Sequence, residues 1–215
     1  LENHQALFHT DAVQAFGTEK IDVKELKVDY LSVSGHKING PKGVGFLYIK
    51  KGRVVPIMIH GGDQEEKKRA GTENLAGIAG LKKAITILSE EQKEANKAKY
   101  FEFREQILNA LTENNIDFEV NGCEENHLSH ILNIWFKGVK SNLLLSRLDL
   151  FGYAISTGSA CSAGTVAPSP VILAMKKETP EAATESIRIS FGYGLTSEEI
   201  EAFDEKVVET IQSLV

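Results

Sequence analysis

The stretch from Tyr30 to Gly45 constrains this chain more than any other. Tyr30-Leu31-Ser32-Val33 is an apolar-rich run that reads as a buried strand. It passes directly into Ser34-Gly35-His36-Lys37, and Gly40, Pro41, Gly43 and Gly45 then crowd the backbone. Glycine and proline at that density demand a tight exit from the strand. A lysine held at such an exit, partly out of water, loses its proton more readily and can act as an amine nucleophile. Most lysines are solvated, so an isolated S-x-H-K stretch reads first as a surface turn. The surrounding chain decides between the two.

Ala6 to Thr10 reads as a short buried strand with Asp11 at its end. Ligand groups collect at the carboxyl ends of strands in open α/β sheets, and both Asp11 and Lys37 fall there. Gly45 to Ile49 reads as a third strand. Its link to the second is too short for a parallel crossover, so the two should run antiparallel. Arg53 to Ile59 is apolar again and ends in His60-Gly61-Gly62. After a charged loop, Arg69-Ala70-Gly71-Thr72-Glu73-Asn74 leads into a helical pattern with Ile78, Leu81, Ile85 and Leu88 on one face. Thr72 or Asn74 can cap that helix, and the segment reads either as a plain cap or as an anion site at a helix N-terminus. The pattern continues, with a break near Ser89, through Phe101, Leu108 and Leu111.

The second half alternates short strands and helices. Phe118 to Val120, His130 to Phe136, Tyr153 to Ile155 and Ile187 to Phe191 are the expected strands. Ser141 is the expected cap of a helix closed by Gly152, and Ser169 to Met175 suits a short helix. Thr196-x-x-Glu199 is a capping box for a last helix with Ile200, Phe203, Val207, Ile211 and Leu214 on its apolar face. The two-part reading is 1–74 as one domain and 75–215 as a separate α+β domain. The core of the latter should include Leu81, Ile85, Ile134, Leu145, Ile189 and Phe203.

Cys161 sits among small residues from Thr157 to Thr165, which predicts a mobile loop and an accessible thiol. Cys123, in a turn after Asn121-Gly122, reads as incidental. His127 and His130 lack a third ligand, so no metal site is expected. Two cysteines cannot build a disulfide framework. A net charge of −6, with scattered basic residues, speaks against direct nucleic-acid binding. No apolar run approaches a membrane helix, and no signal-peptide pattern opens the chain, so a cytoplasmic location is expected.

Six segments occur in an order and spacing that closely resemble the cysteine desulfurases of the NifS/IscS type. They are His9-Thr10-Asp11-Ala12-Val13-Gln14, Ser34-Gly35-His36-Lys37, His60-Gly61-Gly62, Arg69 to Asn74, Gly158 to Gly164, and Ile187-Arg188-Ile189-Ser190. These are class-V aminotransferase relatives that use pyridoxal 5'-phosphate (PLP). The resemblance implies an α/β fold, with the end of the aspartate-aminotransferase-type large domain in 1–74 and a small α+β domain in 75–215. It implies that Lys37 bonds the cofactor and moves the substrate Cα proton. Asp11 would pair with the pyridinium nitrogen and Gln14 with the ring hydroxyl oxygen. Ser34 and His36 would hold the phosphate, and Thr72 would reach the phosphate of a partner subunit's cofactor in a homodimer. Arg188 would clamp the carboxylate of L-cysteine. Cys161 would take the sulfur as a persulfide, release alanine, and pass the sulfur to an acceptor such as an iron–sulfur scaffold or a tRNA-thiolation enzyme.

The family's chain is nearly twice this length, and its other half carries a phosphate-binding threonine loop and a histidine that stacks on the ring. The resemblance therefore implies a C-terminal fragment that binds PLP weakly and lacks activity alone. Within the enzyme class the alternative is a selenocysteine lyase or SufS-type desulfurase. The small-residue loop and the length of the Cys161–Arg188 segment argue against it. The alternative of another class is a non-catalytic module for dimerisation or docking.

Overall fold

The computed structural model describes residues 4–158 and 168–214. Cys161 and most of the small-residue stretch around it lie outside the described residues. The chain divides into two compact units, 1–95 and 96–215.

In the first unit, β1 (His9–Asp11), β2 (Tyr30–Ser34) and β3 (Gly45–Ile49) form a sheet in that order. β1 runs parallel to β2 and β3 antiparallel to it, as the link length requires. β1 starts at His9, later than the apolar residues suggested. Leu7 and Phe8 are exposed, and the Phe8 backbone N–H is held by the Asp29 carboxylate at 2.8 Å. Asp29 also pairs with Arg53 at 2.7 Å. The Phe8 backbone hydrogen bond and the Arg53 pair hold its carboxyl below the ordinary carboxylate range. The stretch Arg53–Ile59 forms no strand. Val54 and Met58 are 81% and 86% exposed, so apolar composition there does not mark a buried element.

The core of this unit consists of two small clusters. Ala12, Val28, Leu31 and Val33 pack beneath the sheet. Ile38 packs with Leu81 and Ala84 of helix α1 (Leu75–Ile87). That contact places α1 in the first unit, which reaches Ala95, beyond the expected boundary at 74. Leu81 therefore belongs to the first unit, and Ile85 is exposed; neither joins the second core. Asn74, not Thr72, caps α1 by accepting from the Gly77 N–H at 3.0 Å. The break near Ser89 is present: α2 (Glu90–Glu113) starts anew there, with the Ser89 hydroxyl accepting from the Gln92 N–H. The division between units falls within α2.

In the second unit, β4 (Phe118–Val120), β5 (Ile131–Phe136) and β6 (Ser186–Ser190) form an antiparallel sheet in that order. Leu132, Ile134 and Phe136 of β5 meet Phe103, Ile107 and Leu111 of α2 in one large core. Helix α3 (Ser141–Leu150) adds Leu144 and Leu148 to it, while Leu145 is only half-buried. The hydroxyl of Ser141 is not a cap; it donates to the Thr184 carbonyl at 2.9 Å. Helix α6 (Ser197–Gln212) closes the core with Ile200, Phe203, Val207 and Ile211, and its capping box of Thr196 and Glu199 is complete. The short helices α4 (Pro170–Met175) and α5 (Ala182–Glu185) pack around Trp135 on the far face of β5. Tyr153 to Ile155 is irregular, and only Ser156 bridges to Arg188.

Candidate active site

The first unit presents a polar row on one face of its sheet. Along β2, Leu31 and Val33 are buried, while Tyr30, Ser32 and Ser34 alternate onto the opposite face. The register sets Asp11 beside Ser32 and His9 beside Tyr30. Paired residues share a face, so His9, Asp11, Ser32 and Ser34 line the side away from the core. The His9 Nε2 and Ser32 Oγ atoms are 2.7 Å apart. Asp11 Oδ1 accepts from the Val13 N–H at 2.9 Å, bending the chain into the turn that carries exposed Gln14.

The turn after β2 explains how Lys37 is displayed. Gly35–Ile38 forms one turn of 3-10 helix. Ile38 is buried against α1 and anchors the turn, leaving His36 and Lys37 exposed. Asn39, with φ 60°, closes it in the left-handed region. The Ser34 Oγ and His36 Nδ1 atoms lie 2.7 Å apart. A Cβ on Gly45 would lie 2.2 Å from the Val33 carbonyl oxygen, so β3 can start only with glycine there. Lys37 makes no hydrogen bond or ion pair among the described residues. Its amine therefore stands exposed at the end of the polar row.

Thr72 is exposed in the segment before α1. That segment is held from behind: Ala70 N–H donates to the Ile59 carbonyl at 3.2 Å, and Gly71 N–H donates to Gln64 Oε1 at 3.1 Å. No hydrogen bond or ion pair among the described residues joins Thr72 to Asp11, Ser34, His36 or Lys37. In the second unit, Arg188 is half-buried on β6 opposite Asn133, and its Nε is buried without a hydrogen-bond partner. Backbone hydrogen bonds in both directions tie it to Ser156.

Sequence reasoning missed several polar residues. His9 and Ser32 belong to the row, and the alternation of His9-Thr10-Asp11 was the signal. Glu185, which is buried, accepts from Trp135 Nε1, the Gly138 N–H and Lys140 Nζ at 3.1, 3.1 and 2.8 Å. Burial alone would raise its carboxyl, but those hydrogen bonds outweigh burial and set it below the ordinary range. Asp204, 7% exposed, interrupts the apolar stripe of α6. A charged residue next to Phe203 in that stripe was its visible sign.

A sequence profile described as aminotransferase class-V matches residues 1–203. The chain belongs to the aminotransferase class-V family. A Bacillus subtilis protein that bears the name of a candidate cysteine desulfurase IscS 1 is 50% identical over 214 residues, 100% of this chain and 56% of that one. The cysteine desulfurase IscS of Dictyoglomus turgidum is 41% identical over 99% of this chain and 54% of its own length. A solved NifS-like protein superposes with a TM-score of 0.85 at 32% identity, covering 99% of this chain and 54% of that structure. The chain thus spans about half the length of the relatives it matches. Among the described residues, no helix is long and apolar enough to cross a membrane, and no cluster of metal-ligating side chains occurs.

Proposed function

We propose that this chain is the part of a cytoplasmic, homodimeric PLP-dependent cysteine desulfurase that carries the cofactor lysine and the sulfur-accepting cysteine. One observation carries the reading: Asp11 and Ser34 share the polar face of the sheet, and Lys37 emerges one short turn beyond Ser34. The chemistry of this donor set fits PLP, which has one basic ring nitrogen, one aldehyde and one phosphate. Asp11 supplies a carboxylate for the nitrogen, Lys37 an amine for the aldehyde carbon, and Ser34 with His36 donors for the phosphate. Gln14, on the turn after Asp11, suits the ring hydroxyl oxygen, and Thr72 a partner subunit's phosphate. The first unit, residues 1–95, is then the end of the cofactor-binding domain, and the small domain supplies Arg188 and Cys161.

When bound, the cofactor supplies an electron sink for the substrate's Cα substituents. The chain's own residues do the rest. Arg188, a planar fork, holds the carboxylate of L-cysteine and fixes its orientation. The Lys37 amine carries a proton to and from Cα. The Cys161 thiolate attacks the substrate sulfur: a sulfur–sulfur bond forms, the Cβ–S bond breaks, and its electron pair stays with the carbon. Protonation of that carbon gives L-alanine and leaves a persulfide on Cys161, so no outside oxidant or reductant is needed. The persulfide sulfur then passes to an acceptor, an iron–sulfur scaffold or a tRNA-thiolation enzyme.

A second reading is a docking or dimerisation module without catalysis. Titration with PLP separates the two. A weak absorbance band that disappears in Lys37→Ala is the expected result for the desulfurase reading. Absence of any band at saturating cofactor favours the module.

A further inference from the structure

We propose that the groove between α2 and α6 is a docking site for a basic peptide segment, an arginine- or lysine-rich stretch of another protein. A cavity of about 500 Å³ opens there, lined by Ala110 and Asn114 of α2 and by Glu201, Asp204, Glu205 and Glu209 of α6. The glutamates recur every fourth residue, so they form one stripe about 12 Å long on the helix. Lys206 pairs with Glu209, which leaves Glu201 and Glu205 as the exposed negative charges.

An acidic stripe on a surface helix is commonly just a solvated face. The observation that lifts this one is Asp204. Its side chain is more than nine-tenths buried, lines the same groove, and has its Oδ1 atom without a hydrogen-bond partner among the described residues. Burying a carboxyl oxygen unpaired is costly, and folds rarely keep such a group without a use. Burial, offset in part by a hydrogen bond with the Gln106 side chain and aided by nearby Glu201, pushes its carboxyl up to about 7. The α2 lining of the groove, Ala110 and Asn114, is uncharged and Gln106 is a neutral hydrogen-bond partner, so among the described groove residues no cation meets Asp204. A cation bound in the groove would supply the missing charge beside this carboxyl.

The chemistry of the occupant follows from the layout. No cluster among the described residues can hold a metal ion, so a point cation has no coordination sphere here. Negative charge spread over two helical turns suits several cations at peptide spacing. A nucleic acid is excluded by charge. Guanidinium is the better match to a buried carboxyl, because its planar fork satisfies carboxylate oxygens directly. The proposal concerns a face that takes no part in the desulfurase reading and does not rest on it.

The test uses the 215-residue chain and an acetylated, amidated peptide of four arginines separated by glycines, at fixed ionic strength, by calorimetry. A cation recognises the ionised carboxylate. With Asp204 titrating at about 7, affinity should rise about tenfold from pH 6 to pH 8, as the ionised fraction grows from about one-eleventh to ten-elevenths. Asp204→Asn, which keeps the shape, should bind as weakly at pH 8 as the unaltered chain does at pH 6 and show no pH dependence. The double variant Glu201→Gln/Glu205→Gln should weaken binding at both pH values and retain the rise. The proposal is overturned by no binding at pH 8, by equal binding of the glutamate-for-arginine peptide, or by an Asp204→Asn profile matching the unaltered chain.

Discussion

The two units invest their residues in opposite ways. The second closes a large aromatic and aliphatic core over one face of its sheet, with Phe103 edge-on to Phe191 and tilted against Tyr100. The first keeps two small clusters and gives the outer face of its sheet to His9, Asp11, Ser32 and Ser34. Buried apolar area is what stabilises, at roughly 25 cal/mol per Å². The second unit is thus scaffold first, and the first is display first. A substitution should therefore be felt in stability in one unit and in ligand chemistry in the other.

The largest expected effect tests the scaffold side. Phe103 is 1% exposed at the centre of the second core. Phe103→Ala should cost about 3–5 kcal/mol, from lost transfer energy plus the cavity left behind. Urea unfolding followed by circular dichroism measures it. A loss under about 1 kcal/mol would mean that this core is looser than its burial implies.

Asp204 is the exception inside that scaffold, and its pH dependence sharpens the comparison. Its folded pKa, about 7, lies above the unfolded carboxylate value near 4. Between those values the folded chain keeps a proton that the unfolded chain has released. Stability therefore falls as pH rises from about 4 to about 7, by at most about 1.4 kcal/mol per unit, and levels off above. Asp204→Asn should raise the urea midpoint at pH 8 and leave it nearly unchanged at pH 4. An equal shift at both would assign the effect to packing instead of charge.

On the display side, the largest structural effect should come from Gly45. Any side chain there meets the Val33 carbonyl, part of the backbone of β2 and unable to move aside. Gly45→Ala should cost on the order of 1–3 kcal/mol and disturb the turn that presents Lys37. Weaker PLP binding in Gly45→Ala with Lys37 intact would show that strand placement, and not the lysine alone, sets the site. Unchanged binding would separate the two.

How much of this was legible in the sequence depended on locality. The direction of β3, the fresh start of α2 at Ser89 and the Thr196–Glu199 capping box were readable, because each is fixed by residues within a few positions of one another. The features that were not readable depend on distant partners. Leu81 has the same helical period whichever core it joins, and only its meeting with Ile38 puts it in the first unit. Arg53 to Ile59 is apolar enough for a strand, but no described strand pairs with it. Ser141 follows the composition of a cap, yet its hydroxyl is drawn to Thr184, more than forty residues later. The polar row was half legible. Asp11 and Lys37 stood out at strand ends, whereas His9 and Ser32 needed the parallel register, which pairs His9 with Tyr30 and Asp11 with Ser32, to place them on one face.

The smallest expected effect on stability is also the one that most directly tests the display reading. Lys37 is exposed and makes no hydrogen bond or ion pair among the described residues, and its neighbour Ile38 does the anchoring. Truncating it removes no core contact, no cap and no ion pair. Exposed positions of that kind change stability by about 0.5 kcal/mol or less. Lys37→Ala should therefore unfold at the same urea concentration as the unaltered chain, while the PLP absorbance band disappears. Ile38→Ala should do the reverse in order of cause: it should lower stability first and weaken cofactor binding only as the turn loosens. A clear stability loss in Lys37→Ala would mean that the amine is already used to hold the fold. It would then be a poor candidate for a residue kept free to bond a cofactor.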